Sequence, residues 1–168
     1  TLHGAGIGVI LDWVPAHFPR DEAGLRIFDG HALFEHPDPS ISEHPLWGTL
    51  RFNFESEYVR DFLIASALWW FDEYHIDGLR VDAVSAIIYR DMSCPTPETL
   101  VPAGIEFLKE LNSVIGKAHP HALMIAEECS DYRGITDPVD RGGLGFSYKW
   151  NMGWMNDTLK YIETDPLF

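Results

Sequence analysis

The stretch IDGLRVDA, residues 76–83, decides the fold of this chain. It follows a segment whose apolar residues have helical spacing, and it has the pattern of a short buried strand that ends in charged residues. Because side chains two residues apart on a strand point to the same side, Arg80 and Asp82 are expected to share a face. A guanidinium lowers the pKa of a neighbouring carboxylate, so the pattern predicts an ionised Asp82, which a covalent nucleophile requires. Taken alone, the pair is more simply a structural ion pair.

Two other predicted strands also end in carboxylates, and this favours a functional interpretation. Residues 7–12 form a continuous apolar run that ends at Asp12 and is typical of a parallel strand buried on both faces. Residues 122–127 form another such run, ending at Glu127, and residues 145–150 predict a fourth strand. Helical spacing predicts helices from an N-cap at Ser56, over 103–117 and over 151–163.

Strands that alternate with helices predict a parallel α/β fold. A doubly wound sheet would place a phosphate-cradling glycine loop directly after a strand, and the sequence has none there. A barrel instead gathers its chemistry at the C-terminal ends of several strands, where Asp12, Asp82 and Glu127 follow one another. We therefore expect a partial TIM (β/α)8 barrel of about four consecutive β/α units. Residues 1–168 would then be an internal piece of a single domain that continues beyond both ends.

Composition excludes several classes of function. The chain has 26 acidic and 12 basic residues, a net charge of −14, which argues against a nucleic-acid or anionic-membrane surface. The sequence shows no signal peptide and no apolar run long enough to span a bilayer. Cys94 and Cys129 form no spaced framework and indicate reduced thiols, so we expect a cytoplasmic protein.

Residues 18–54 have no periodicity, and loops of this length in compact domains are usually functional or disordered. Three histidines of this segment, at positions 31, 36 and 44, match no zinc spacing, so no metal site is predicted. Farther along, Trp69 and Trp70 are expected to pack against the sheet rather than to bind a ligand.

Two carboxylates held across a glycosidic bond can cleave it, one as nucleophile and one as proton donor. Asp82 fits the first role because Arg80 would keep it charged. For the second role the chain offers adjacent carboxylates, Glu127 and Glu128, which point to opposite sides of the strand. Residue type alone does not say which of the two enters the site. The pair could equally form a solvated loop entrance.

Three motifs then carry a specific resemblance. DWVPAH at 12–17, GLRVDA at 78–83 and AEE at 126–128 resemble the first three motifs of the α-amylase superfamily of glycoside hydrolases, in the same order. The flanking segments WGTL at 47–50, IIYRD at 87–91 and YKWNMGWM at 148–155 resemble those of the bacterial glycogen branching enzymes. The resemblance runs along essentially the whole chain and implies the third to sixth strands of the barrel.

Carried over by position, the resemblance implies that Asp82 is the nucleophile and Glu127 the general acid and then base. Asp12, His17 and Arg80 would hold the donor sugar and set the charge of the nucleophile. It implies a branching reaction on α-1,4-glucans such as glycogen and amylose, as donor and acceptor, with no cofactor and no metal. A further aspartate of the family's site would lie beyond this sequence, and residues 92–103 are shorter than the family's loop.

Two other interpretations stay open. In the first, the same barrel is a hydrolase in which water intercepts the glycosyl-enzyme, since the carboxylate chemistry is common to both. In the second, the chain is a glucan-binding or structural piece without activity. Half a barrel leaves two open sheet edges, so we expect the isolated chain to be inactive and prone to aggregate until the rest of the parent chain completes the barrel.

Overall fold

The computed structural model describes residues 2–164, in which short strands and helices alternate. The strands are β1 (Ile10–Trp13), β2 (His17–Phe18), β3 (Glu43–His44), β4 (Thr49–Arg51), β5 (Gly78–Val81), β6 (Leu123–Glu127) and β7 (Tyr148–Trp150). The α-helices are α1 (Pro39–Ser42), α2 (Glu57–Tyr74), α3 (Val84–Ile88), α4 (Pro102–Ala118) and α5 (Met152–Glu163). The predicted helices are thus confirmed to within a few residues at each end.

Four strands form one parallel sheet in the order β1-β5-β6-β7, which confirms the predicted parallel α/β fold. The register pairs Asp12 with Arg80, and the Asp82 N–H donates a hydrogen bond to the Trp13 carbonyl oxygen at 2.9 Å. The C-terminal ends of β1, β5 and β6 therefore lie side by side. This arrangement brings Asp12, Asp82 and Glu127 to the same edge of the sheet.

Helices cover one face of this sheet. Leu79 and Val81 of β5 are fully buried beneath them, whereas Arg80, which lies between these two residues, points to the opposite face. Helix α4 contributes a stripe of fully buried apolar side chains at helical spacing, Phe107, Leu108, Leu111 and Ile115. The alternation along β5 thus separates a packed apolar side from the side that carries the charged residues.

The contact between α3 and α4 depends on Gly104. A Cβ at this position would lie 2.2 Å from the Ile87 carbonyl oxygen, so only glycine lets the two helices approach this closely. Because α3 begins two residues after Asp82, the same contact holds the backbone that follows the strand.

The segment without periodicity is folded. Strands β2, β3 and β4 form a three-stranded antiparallel sheet in the order β2-β4-β3, in which His17 pairs with Arg51. Phe18, Leu50 and Phe52 are buried in its core. The sequence pattern did not predict this sheet because strands of two and three residues are too short to show an alternation.

Two predictions of burial are wrong. Ile10 is 49% exposed, because β1 is the edge strand of the sheet and no described element covers its free side. Trp69 is 47% exposed and makes edge-to-face contacts with Trp70 and Tyr74, whereas Trp70 packs partly against the core.

Helix α5 has no buried residue. Of the helices in residues 2–164, none is both long and apolar enough to cross a membrane.

Candidate active site

Arg80 lies at the centre of a cluster drawn from three strands. Its Nη1 donates to Asp12 Oδ1 at 2.6 Å and to Asp82 Oδ1 at 3.0 Å, and its Nη2 lies 3.4 Å from Glu127 Oε2. The side chains of Arg80, Asp82 and Glu127 are each about one fifth to one quarter exposed, and that of Asp12 is 65% exposed. The structure thus brings four of the five predicted site residues into direct contact through one guanidinium.

His17, the fifth, approaches from the small sheet. Its Nε2 lies 3.8 Å from Asp82 Oδ2, so Asp82 has a cationic partner on one oxygen and an imidazole near the other. Burial lowers the pKa of His17, and the Asp82 charge opposes this only in part. The tilted indole of Trp47 lies with its centroid 4.9 Å from that of the His17 ring.

The charge state of Asp82 corrects one expectation. Burial raises the pKa of Asp82, and the charge of Glu127 raises it further, while Arg80 and His17 act in the opposite direction. The net shift is upward, so the expectation that Arg80 keeps the pKa of Asp82 below its ordinary value is wrong. The larger cause is burial of the Asp82 carboxyl, and the second is the charge of Glu127, which comes from a different strand. Neither has a signature in the local sequence around Asp82.

The two adjacent glutamates point to opposite sides of β6, as the alternation predicts. Glu127 Oε2 accepts a hydrogen bond from the Ala83 N–H at 2.7 Å, on the side of Arg80. Glu128 lies on the other side with a fully buried side chain, where Lys149 Nζ is 2.6 Å from its Oε2. Its Oε1 accepts hydrogen bonds from the N–H and the hydroxyl of Ser130. A solvated loop entrance is therefore the wrong description of this pair.

Ala83 holds the backbone between Asp82 and α3 in a left-handed conformation, with φ of +48°. A non-glycine residue in this region carries conformational strain, and such positions persist where the surrounding structure fixes them. Here the strained turn directs the Ala83 N–H to Glu127. The strand end that carries Asp82 therefore also positions the second carboxylate.

Several residues around the cluster were missed by reasoning from the sequence. Lys149 binds both Glu128 and the Ser130 carbonyl oxygen, the latter at 3.0 Å. The indole of Trp150 lies 6.0 Å from the Arg80 guanidinium carbon and is half exposed at the mouth of the site. Both lie in the YKWNMGWM segment, which was noted for its resemblance but given no role. Their position beside β6 follows from the order of the strands, which the sequence does not state.

No group of three or more His, Cys, Asp or Glu side chains is arranged to hold a metal ion within residues 2–164. Among these residues the three histidines of the irregular segment belong to no such group, and His44 is buried against the Trp47 ring, with the two centroids 3.9 Å apart. The cluster around Arg80 consists of carboxylates already engaged by a guanidinium. Carboxylates in such an arrangement are suited to proton transfer and nucleophilic attack.

Comparison with known proteins gives the class. A maltogenic α-amylase from Thermotoga neapolitana superposes with a TM-score of 0.62 over 96% of the chain and 32% of its own length, at 16% identity. A pullulanase from Paenibacillus barengoltzii superposes with a TM-score of 0.54 over 75% of the chain and 17% of its own length, at 28% identity. The fold is that of the α-amylase superfamily. No family model matches the chain.

Several relatives by sequence are 1,4-α-glucan branching enzymes. The 1,4-α-glucan branching enzyme of Oleidesulfovibrio alaskensis is 53% identical over 99% of the chain and 27% of its own length. One from Rhizobium etli is 55% identical over 99% of the chain and 24% of its own length. Along nearly its whole length, the chain is therefore similar to one section of the 1,4-α-glucan branching enzymes. It spans about a quarter of the length of these curated relatives.

Proposed function

We propose that the full-length protein that carries this chain is a 1,4-α-glucan branching enzyme. It cleaves an α-1,4-glucosidic bond through a covalent glycosyl-enzyme and transfers the released chain to a 6-hydroxyl, making an α-1,6 branch. The observation that carries the proposal is the contact of one guanidinium, Arg80, with Asp12, Asp82 and Glu127. Identity of 53–55% to branching enzymes along the chain supports the choice of reaction.

In the first step, the Asp82 carboxylate attacks the anomeric carbon while Glu127 gives its proton to the departing glycosidic oxygen. In the second step, Glu127 takes the proton of the acceptor 6-hydroxyl, and the new oxygen displaces Asp82. Arg80 holds both carboxylates at a fixed separation, and Asp12 and His17 bind the donor sugar. Retention of configuration follows from the two displacements at one carbon.

The coupling between the two carboxylates supports this order of steps. The charge of Glu127 raises the pKa of Asp82. Once Glu127 carries the proton that it must donate, this repulsion is absent, and Asp82 is ionised more readily. The protonation state required for glycosyl transfer is therefore the one in which the nucleophile is most easily charged.

The proposal includes the wider architecture. Strands β1, β5, β6 and β7 are the third to sixth strands of a (β/α)8 barrel, and residues 1–168 are one section of a single catalytic domain. The open edges at β1 and β7 and the exposed apolar side chains of α5, including Trp154 at 68% exposure, support a domain that extends beyond this section. By the same reasoning, the isolated 168-residue chain is inactive and prone to aggregate.

Glucans serve as both donor and acceptor, and the reaction uses neither metal nor organic cofactor. The half-exposed indole of Trp150 beside Arg80 offers a flat apolar face for a sugar ring. The proposal places the protein in the cytoplasm, which the free thiols of Cys94 and Cys129 support.

The fold similarity to an α-amylase and a pullulanase favours one competing function, hydrolysis of the same bonds. Incubation of the full-length protein with amylose separates the two. Branching lowers the absorbance of the iodine complex without a matching rise in reducing ends. It also creates α-1,6 linkages, which a debranching enzyme cleaves. A rise in reducing ends that matches the number of bonds cleaved, with no new α-1,6 linkages, would refute the branching proposal.

A further inference from the structure

A second cleft lies outside the Arg80 cluster, between the β3–β4 hairpin and the segment that follows α3. His44 and Arg51 line it from the hairpin, and Arg90, Asp91 and Ser93 line it from the opposite side. Nothing in the proposed glycosyl transfer uses these residues. The cleft is open to solvent, so a small ligand can enter it.

Within residues 2–164, the two arginines of this cleft form no ion pair with a carboxylate. In a chain with 26 acidic residues, neither Arg51 nor Arg90 has a carboxylate oxygen within 4.0 Å among the described residues. The Nε of Arg51 is buried and donates no hydrogen bond within the same residues. Burial lowers the pKa of Arg51, and the nearby charge of Arg90 lowers it further. Two cations therefore face each other with one buried donor unused, which is costly unless an anion joins them.

His44 adds a third unused group. It is 2% exposed, lines the cleft, and neither of its ring nitrogens has a hydrogen-bond partner within residues 2–164. Burial and the charges of Arg51 and His17 lower its pKa to about 4. At neutral pH it is thus an uncharged imidazole that still has one N–H to donate.

The carboxylates of the cleft are already engaged. Glu43 Oε2 lies 3.3 Å from Arg20 Nη2. Asp91 Oδ1 accepts hydrogen bonds from the Ser93 N–H at 2.9 Å and the Ser93 hydroxyl at 2.6 Å. The charge of Asp91 acts on Arg51 in the direction opposite to that of Arg90, but it is the weaker of the two effects. The cleft therefore keeps unmatched positive charge.

We propose that this cleft binds a phosphoryl group between Arg51 and Arg90, with His44 as an additional donor. Guanidinium groups offer pairs of N–H donors that match phosphate oxygens, and two of them balance a dianion. A neutral sugar hydroxyl would leave both cations uncompensated. The phosphoryl group belongs either to a free sugar phosphate or to a phosphate ester carried on a glucan chain.

The site adjoins the proposed catalytic residues. Arg51 pairs directly with His17 across β2 and β4, and His17 Nε2 is 3.8 Å from Asp82. A phosphate ester on a bound glucan could therefore reach Arg51 while another sugar of that chain lies at Asp82. Binding of a phosphate ester carried on a glucan rests on the proposed function, whereas binding of a free phosphate compound does not.

The test is isothermal titration calorimetry on the full-length protein that carries this chain, with orthophosphate in chloride buffer of constant ionic strength. We expect one saturable site. Arg51→Gln and Arg90→Gln should each raise the dissociation constant at least about tenfold, because each variant removes one guanidinium group that would bind the phosphate oxygens. Arg141→Gln removes the same charge from an exposed position far along the chain and should leave the constant within about twofold. Thermal denaturation of each variant confirms that it is folded.

Competition experiments then identify which compound supplies the phosphoryl group. Glucose 6-phosphate and a phosphorylated maltodextrin are each titrated against bound orthophosphate, with unphosphorylated maltodextrin as the control. Displacement by the first alone assigns a free sugar phosphate, and displacement by the second alone assigns an ester on the glucan. The proposal is overturned if orthophosphate shows no saturable binding, or if it binds both glutamine variants as tightly as the unchanged protein. These readouts do not depend on branching activity.

Discussion

Lys149 Nζ lies 2.6 Å from Oε2 of Glu128, whose side chain has no exposed surface. This ion pair links the ends of β6 and β7 from the side opposite the Arg80 cluster. It gives the two adjacent glutamates different environments, since Glu128 is fixed in the interior while Glu127 contacts Arg80 and Ala83. The pair therefore holds Glu128 away from the Arg80 cluster, which Glu127 contacts.

Lys149→Met should destabilise the full-length protein by about 3–5 kcal/mol, because the buried Glu128 charge loses its cation and keeps only the hydrogen bonds from Ser130. Glu128→Gln should cost less, since Lys149 is 28% exposed and can turn to water. Urea denaturation of both variants and the double variant measures the coupling. Lys160→Met, at an exposed position of α5, is the matched control. Equal losses in Lys149→Met and the control would mean that the ion pair contributes nothing.

Glu127→Gln should lower transfer from amylose by about 10³-fold or more, because a sugar hydroxyl departs poorly without a proton. A glycosyl fluoride leaves without that proton, so formation of the glycosyl-enzyme from the fluoride should suffer much less. Glu128→Gln should be milder with both donors and show no dependence on the leaving group. If the glycosyl fluoride restores formation of the glycosyl-enzyme in Glu128→Gln and not in Glu127→Gln, then Glu128 is the general acid.

The same variants predict a shift in pH dependence. Formation of the glycosyl-enzyme requires an ionised Asp82, so its rate falls as pH drops through the raised pKa of Asp82. Glu127 contributes to that elevation through its charge, which Glu127→Gln removes. The acid limb measured with a glycosyl fluoride should therefore move to lower pH in Glu127→Gln and stay in place in Glu128→Gln. An acid limb that moves upward in Glu127→Gln would contradict the coupling.

Asp82→Asn should lower transfer by about 10⁴-fold or more, because the amide cannot form the glycosyl ester. A carboxyl whose pKa is raised by folding is less stable in its charged form in the native state than in the unfolded chain. At pH 7 that cost falls on the unchanged protein and is absent from the variant, so its melting temperature should be equal or higher. Near-normal transfer by Asp82→Ala would assign the nucleophile to another residue.

Arg80→Lys should lower transfer by about 10²–10³-fold, although the positive charge is kept. A single ammonium cannot contact Asp12, Asp82 and Glu127 in the planar arrangement that Nη1 and Nη2 provide. The measurement is kcat per folded molecule, with the folded fraction taken from circular dichroism. If stability falls while turnover per folded molecule is unchanged, Arg80 is only a structural residue.

Reasoning from the sequence predicted what depends on local periodicity. The shared face of Arg80 and Asp82 and the opposite faces of Glu127 and Glu128 follow from the period of a strand. The parallel sheet with carboxylates at its strand ends follows from the alternation of apolar runs and helices. Each of these features is set by residues that are close together in the chain.

The features that were missed depend on residues far apart. The pKa of Asp82 is raised mainly by burial and then by the charge of Glu127 from another strand, and the buried Glu128 is paired with Lys149 of the neighbouring strand. The small sheet formed by β2, β3 and β4 is held by pairings between very short segments, such as His17 with Arg51. No local pattern encodes such contacts, so only the assembled fold shows them.

The contacts of Arg80 have a consequence for the order of events in folding. The guanidinium joins Asp12 across 68 residues of sequence, and the Ala83–Glu127 hydrogen bond spans 44 residues. Contacts at such separations form slowly, since the intervening chain must first be ordered. During refolding, helical circular dichroism should therefore recover before the ability to form a glycosyl-enzyme, so that catalytic competence marks the final, rate-limiting docking of β1 and β6 onto β5.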